Sequence, residues 1–345
     1  MRNIGLGSCA LSFCVLLCGC AWFRSSVNDS PGLRWWLFSN FGARQICPRV
    51  TSSGIGLRLN NAGDVVGRFF PNRCDQRIDD THQTVAITFG GTGFAWTPVA
   101  GRIGFAAQAS VEYRMDFKLA EDAIYVFGVP ANVSAPPQFQ LGSVENKVVD
   151  WATKSPVGYL ANAFGGQILA SQLAAGFTVI RTDNGDEFSL GHLEPPAHPP
   201  KPYGLSGSDK ILYASETTEL HIGQIDILGP FEVTEKEQAL YTRFQVEGPA
   251  SLEGFVWPKT VIDPWREGLQ TGTPLGAPPQ PAIAGFALNP GANQQRLPLN
   301  PGIYVIVLDE SAQLGTVNPP FKPLGMFGAG ATRISYAVEL GDANP

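Results

Sequence analysis

The chain has 345 residues, 24 basic and 30 acidic side chains, a formal charge of −6, and charged residues amounting to only 16% of the total. Sparse, mixed charge with no basic patch excludes a nucleic-acid partner, while the length allows two ordinary domains. With 39 glycines and 28 prolines and no long Ala/Glu/Lys/Leu/Arg stretch, the composition excludes a coiled coil and favours short strands joined by turns.

Met1-Arg2-Asn3 is a short basic start, Ile4 to Leu17 an apolar segment, and small residues follow. This is the order of an export signal, and the segment is shorter than the ~20 apolar residues that a spanning helix needs. Leu16-Leu17-Cys18-Gly19-Cys20 resembles the lipobox of bacterial lipoproteins. The resemblance is confined to Leu16–Cys20 and assigns the rest of the chain to no family. It implies that residues 1–19 are removed as a signal peptide and that Cys20 is acylated. Ala21, rather than Asp, after the anchor implies the outer membrane, on either face. More than one acyl chain makes such an anchor durable. The alternative is an ordinary cleaved signal with incidental cysteines.

On that account Cys9, Cys14 and Cys18 leave with the signal and Cys20 takes the lipid, so Cys47 and Cys74 remain of the six cysteines. Two thiols in an oxidising compartment point to one disulfide worth ~3 kcal/mol; two separate buried thiols are the alternative. Neither has the neighbours of a zinc site.

Residues 20–33 read as a tether, ending in Ser30-Pro31, a helix start with Pro at the first helical position. Arg34-Trp35-Trp36-Leu37-Phe38, Phe41 and Ile46 are then apolar around most of a helix. All-round apolarity favours packing on the first domain, pinned through Cys47; adsorption to a membrane interface beside Arg34, Arg44 and Arg49 is the alternative.

An N-terminal β-rich domain is expected over 34–193. Its clearest element is Arg102 to Lys118, where Ile103, Phe105, Ala107, Ala109, Val111, Tyr113, Met115 and Phe117 share one parity: a long half-buried strand. Its length predicts a bend or bulge near Ala106 to Ala109. Val65–Phe70, Thr84–Phe89, Phe94–Trp96 and Ile124–Val129 add strands in an antiparallel meander. Gly90-Gly91-Thr92-Gly93 lacks the Lys and following helix of a phosphate loop and reads as a hairpin turn.

Ser155 to Ile180 carries no charge. Val157, Leu160, Phe164 and Ile168 give it one helical face, predicting a central helix near 156–175 that Gly176 ends. It packs on the sheet or closes an apolar cavity. Asp183-Asn184-Gly185-Asp186 predicts a hairpin turn. Glu194 to Pro202 is stiff and proline-rich, a linker over 194–209. Beyond it, seven short strands within 210–342 predict a C-terminal β-sandwich, in which Leu299 to Val305 resembles the late turn and strand of extracellular accessory domains. The fold class is therefore mainly β with one central α-helix: an antiparallel sheet packed on a helix, followed by a sandwich.

Catalytic motifs are not found: there is no Gly-x-Ser-x-Gly, His-Glu-x-x-His or dinucleotide fingerprint. His192 and His198 flank Glu194 in the linker, where solvent exposure is expected over metal binding. Asp79-Asp80 and Asp309-Glu310 sit in turn-like contexts. Trp257 and Trp265, near Asp263 and Arg266, are the candidate ligand contacts, as a sugar-stacking platform; burial at the sandwich end is favoured over it, because aromatic residues usually bury. The sequence thus points to a non-catalytic, lipid-anchored envelope component without cofactor or metal, attached to the membrane through Cys20 and binding an envelope protein or glycan. A carrier for a hydrophobic ligand comes second and an envelope hydrolase third.

Overall fold

The computed structural model describes residues 22–52, 54–58, 63–97, 101–133, 137–144, 170–183, 185–203, 210–248, 252–271, 276–311, 314–316 and 330–343. Cys20 and most of the helix expected near 156–175 lie outside them, as does the later part of the 194–209 linker. The molecule is mainly β, with one large sheet and a second, smaller one.

Residues 22–28 are helical, and α1 (Pro31–Leu37) starts with Ser30 at the cap and Pro31 inside it. The Ser30 side chain makes no capping bond; its carbonyl instead accepts from Arg34 N–H at 3.0 Å. A wide turn at Phe38–Gly42 and a tight one at Ala43–Gln45 carry the chain into α2 (Ile46–Val50). Cys47 there is bonded to Cys74, with the Cα atoms 5.3 Å apart.

The sheet begins with β1 (Ile55–Arg58), β2 (Val65–Asp79), β3 (Thr84–Thr97), β4 (Gly101–Leu119), β5 (Ile124–Val133) and β6 (Gln138–Val144), continuing with the hairpin β7 (Phe177–Thr182) and β8 (Gly185–Leu190). Apolar alternation in β4 is realised: all eight odd-numbered side chains from Ile103 to Phe117 are buried in one core with Phe69, Phe89, Val27, Trp35 and Phe38. Its length is accommodated along its outer edge, where β6 pairs with Ile103–Gln108 and β5 takes over from Val111. The expected bulge falls at the predicted level but in another strand. The β3–β4 register is unbroken, whereas β2 bulges at Asn72, between Pro71 and Arg73, opposite Gly90 and Gly91.

The reading of Gly90–Gly93 as a turn is corrected. These residues lie within β3 and pair on both sides, with β2 and with β4. A Cβ at Gly91 would overlap the Phe70 carbonyl, and one at Gly93 would sit 2.6 Å from the Arg68 carbonyl. Close approach of neighbouring backbones where β2 bulges, rather than a reversal of direction, requires glycine. In the β7–β8 hairpin, Thr182 pairs with Gly185, whose φ of +116° suits glycine.

The second half adds β9 (Ile211–Leu220), β10 (Ile225–Val233), β11 (Gln238–Glu247), β12 (Leu252–Pro258), α3 (Lys259–Thr271), β13 (Ala284–Leu288), β14 (Gly291–Pro298), β15 (Gly302–Asp309) and β16 (Thr332–Asp342). Strands β14-β11-β16-β9 continue the large sheet into β2-β3-β4-β5-β7-β8, while β10-β15-β12-β13 form the small one. Apolar residues of both sheets share a core that includes Leu240, Phe244, Val256, Ile306 and Tyr336. The two halves read from the sequence therefore meet in one sheet, through a short parallel contact at Val65 and Thr218. The start of the linker is not free of the body: the His192 ring lies 4.3 Å from that of Phe127, and Lys118 Nζ pairs with Glu194 at 2.6 Å.

Candidate functional site

The parallel contact between β2 and β9 is a single residue pair, so the strands separate immediately and polar side chains fill the gap. Arg68, from the apolar run Val65–Phe70, points into it and is only 3% exposed. Its Nε donates to Asp226 Oδ1 of β10 at 2.8 Å and its Nη2 to Asp226 Oδ2 at 3.1 Å. Nη1 donates to Glu216 Oε2 of β9 at 3.1 Å, and Nη2 also reaches Tyr336 Oη of β16 at 2.9 Å. The Tyr336 hydroxyl donates to Glu216 Oε2 at 2.7 Å. Thr218 has one hydroxyl proton, with Asp226 Oδ2 at 2.9 Å and the Val65 carbonyl at 3.1 Å as its acceptors.

Four strands from both sheets are thus tied by one guanidinium. A buried charge is tolerated only when paired and fully hydrogen-bonded, and this fork geometry is specific to arginine. Burial by itself disfavours the charged Arg68, yet Asp226, Tyr336 and Glu216 hold its net pKa above the ordinary value. Burial likewise acts to raise Glu216, but the cations Arg68 and Arg58 bring it below the usual range.

Beside this network, Val66, Phe94, Trp96, Arg102, Glu219 and Gln224 help to line a cavity of about 10 Å³, room for roughly one water. At its rim the rings of Trp96 and His221 stack 3.7 Å apart and 11° from parallel. His221 Nε2 lies 2.7 Å from Glu219 Oε1 without hydrogen-bond alignment.

The tip of β15 closes the same corner. Glu310 N–H donates to the Gln224 carbonyl at 2.9 Å, and Gly223 N–H to the Glu310 carbonyl at 2.8 Å. Asp309 and Glu310, read from the sequence as turn residues, are fully buried. Burial pushes Asp309 up to about 6, with Glu253 adding to the rise and Ser311 opposing it. Glu310 is pushed up to about 8, again mainly by burial, with Thr332 opposing and Asp309 contributing. Both are carboxylic acids sealed from bulk water, able to hold protons but not in contact with solvent.

The two tryptophans chosen from the sequence are not brought to this corner. Trp257 is 3% exposed in the core between β12 and α3, its Nε1 donating to the Gln280 carbonyl at 2.9 Å. Its ring offers no face to a sugar, because Val261 and Ile262 of α3 and Val305 and Val307 of β15 pack around it, and Pro258 continues β12 instead of shaping an open loop. Trp265 is half-buried on α3 and bonds the Gly276 carbonyl at 2.8 Å. Arg266, beside it, stacks over Phe70 at 4.1 Å. Cys47 and Cys74 are joined, while Cys20 is outside the described residues. His192 and His198 contact different carboxylates, Glu194 at 2.8 Å and Glu187 at 2.9 Å. Among the described residues no group of three His, Cys, Asp or Glu side chains is placed to hold a metal ion.

Sequence reasoning missed Arg68, Asp226 and Glu216. The available signal was a lone charge inside each of two apolar runs, Val65–Phe70 and Ile225–Leu228, which a buried pair would satisfy. Compared with known proteins, the chain matches no family and no curated protein.

Proposed function

We propose that the protein is a non-catalytic bacterial outer-membrane lipoprotein, anchored through an acylated Cys20, that binds another envelope component, a protein or a glycan. Its C-terminal part acts as a β-sandwich and its N-terminal part as an antiparallel sheet packed on a helix. The observation that carries this reading is the polarity of the large sheet. The helical segment next to the anchor packs on β2 and β4, while the sheet path ends four strands away from β2 at β14, about 19 Å at the usual strand spacing. Among the described residues β14 pairs only with β11. One backbone edge is therefore available for recognition by strand addition, with Ala292, Gln294 and Arg296 exposed along it.

A photo-crosslinking residue at Gln294 in intact cells tests the reading. A discrete adduct, identified by mass spectrometry and lost when the label is moved to buried Leu297, supports it. Labels at Ala292, Gln294 and Arg296 that all give no adduct count against it. Incorporation of labelled palmitate at Cys20 tests the anchor separately. No helix among the described residues is long and apolar enough to cross a membrane, so attachment in this reading rests on the lipid. The carrier alternative depends on Ser155–Ile180, which lies mostly outside the described residues.

A further inference from the structure

The helical segment after the anchor has two aromatic faces with different fates. Val27, Trp35, Phe38 and Ala43 are buried in the core of β2 to β4. Trp22, Phe23, Trp36 and Phe41 point outward, with Trp22 73%, Trp36 54% and Phe41 67% exposed, and the last two rings meet edge to face at 6.0 Å.

Rotation cannot bury this outer face, because the inner one is fastened at several places. Arg34 Nε pairs with Asp116 Oδ1 at 2.6 Å, and Trp35 Nε1 donates to Asp80 Oδ1 at 2.9 Å. Asn28 exchanges two 2.9 Å bonds with the backbone of Leu119, and Gln76 donates to the Ala43 carbonyl at 2.8 Å. The Cys47–Cys74 bond closes the far end. A rigid segment thus holds large aromatic rings in water, an arrangement that marks an interaction surface when the rings are clustered.

We infer that this outer face lies in the headgroup region of the membrane that carries the anchor. The occupant follows from chain continuity: Trp22 comes two residues after Cys20, so acyl chains on Cys20 hold this face at the bilayer surface. Tryptophan is enriched at that depth, where an apolar ring body and a polar N–H are both satisfied. Arg44, exposed three residues after Phe41, and Arg24, four residues after the anchor in sequence, complement anionic headgroups. The rings add apolar contact area to the acyl chains and fix the orientation of the body on the bilayer. The inference rests on the anchor reading, yet it is separable from it.

The test uses the full chain, matured in bacteria and reconstituted into vesicles of phosphatidylethanolamine and phosphatidylglycerol, with ordinary or with brominated acyl chains. Bromine quenches tryptophan only at short range. Because Trp22 and Trp36 are two of the seven tryptophans, the expected loss of emission in brominated vesicles is about one quarter, with the interfacial placement of the two rings. It should vanish in the Trp22→Phe/Trp36→Phe variant, which keeps the apolar face and, having only exposed rings changed, the fold. An acylated, vesicle-bound protein with equal emission in both lipids overturns the inference while leaving the anchor standing. If Cys20 carries no lipid, the anchor reading fails. Quenching of that unacylated chain would still support the surface, and no quenching would overturn it.

Discussion

Arg68 and Asp226 face each other across 158 positions of sequence with two parallel contacts of 2.8 and 3.1 Å, both side chains at most 4% exposed. This pair joins β2 to β10, and so the first half of the chain to the small sheet of the second. Asp226→Ala leaves the guanidinium buried with only Glu216 and Tyr336 as partners, which should cost about 3–5 kcal/mol. The double variant Arg68→Met/Asp226→Leu removes both charges and should lose much less. Urea denaturation of the parent, the single variant and the double variant measures the difference. Equal losses in the single and double variants would show that packing, not pairing, matters here.

Glu310 gives the stability a pH dependence of definite sign. Its ordinary value is 4.5, and burial in the folded chain raises it to about 8. The folded state therefore binds the proton more tightly than the unfolded one. That contribution is present in full below about pH 4.5 and is lost as the pH rises through about 8, on the order of 5 kcal/mol in all. Asp309, raised to about 6 from 3.8, adds a smaller loss that is complete earlier. Glu310→Gln cannot ionise, so its thermal midpoint should fall less than that of the parent between pH 6 and 9, the two being closest at pH 5. Parallel midpoint curves would mean that the carboxyl is already ionised in the folded protein at neutral pH.

Most strands were legible because their signal is local. Apolar alternation marked β4, and short apolar runs marked β10 to β13, β15 and β16 to within a few residues, whereas only the first part of β9, to Ala214, was marked and the strand continues to Leu220. β14 was missed because Gly291-Ala-Asn-Gln-Gln-Arg-Leu-Pro298 lacks such alternation; as an edge strand it exposes every second residue and buries only Leu297. β6 was missed for a similar reason, with no fully buried side chain along it. The polar corner was illegible because its members come from β2, β9, β10 and β16, and nothing local in the sequence says that a parallel contact joins the first two. Trp257 is a candidate ligand contact with burial favoured over it, and burial is what the structure shows, because it directly follows Phe255 and Val256 in the same strand.

The Cys47–Cys74 bond should matter chiefly for the helical segment. The cysteines are 27 positions apart, and closing a loop of that size restrains the unfolded chain by roughly 3–4 kcal/mol. Cys47→Ser/Cys74→Ser should lower stability by about that amount in urea. Amide exchange should accelerate first in 43–50, where the Gln76 contact with Ala43 is the nearest remaining tie. Uniform acceleration throughout the chain would show that the bond stabilises the whole sheet rather than the attachment of α2.

Gly90 and Gly91 are adjacent, lie in the same strand and have opposite surroundings, which makes them a direct test of why β3 carries its glycine run. At Gly90 an added Cβ would find its nearest atom, the Ala107 carbonyl oxygen, at 3.6 Å, an ordinary contact. At Gly91 it would overlap the Phe70 carbonyl and come within 2.7 Å of Pro71 Cα, both backbone, which cannot swing aside as a side chain would. Gly90→Ala should change stability by less than about 1 kcal/mol, with a gain favoured by the reduced entropy of the unfolded chain. Gly91→Ala must push β2 away at its bulge and should cost roughly 3 kcal/mol or more. Chemical denaturation of the two variants decides. Similar small effects would show that β2 yields freely at Asn72, and that the glycines serve chain flexibility during folding rather than close packing of the strands.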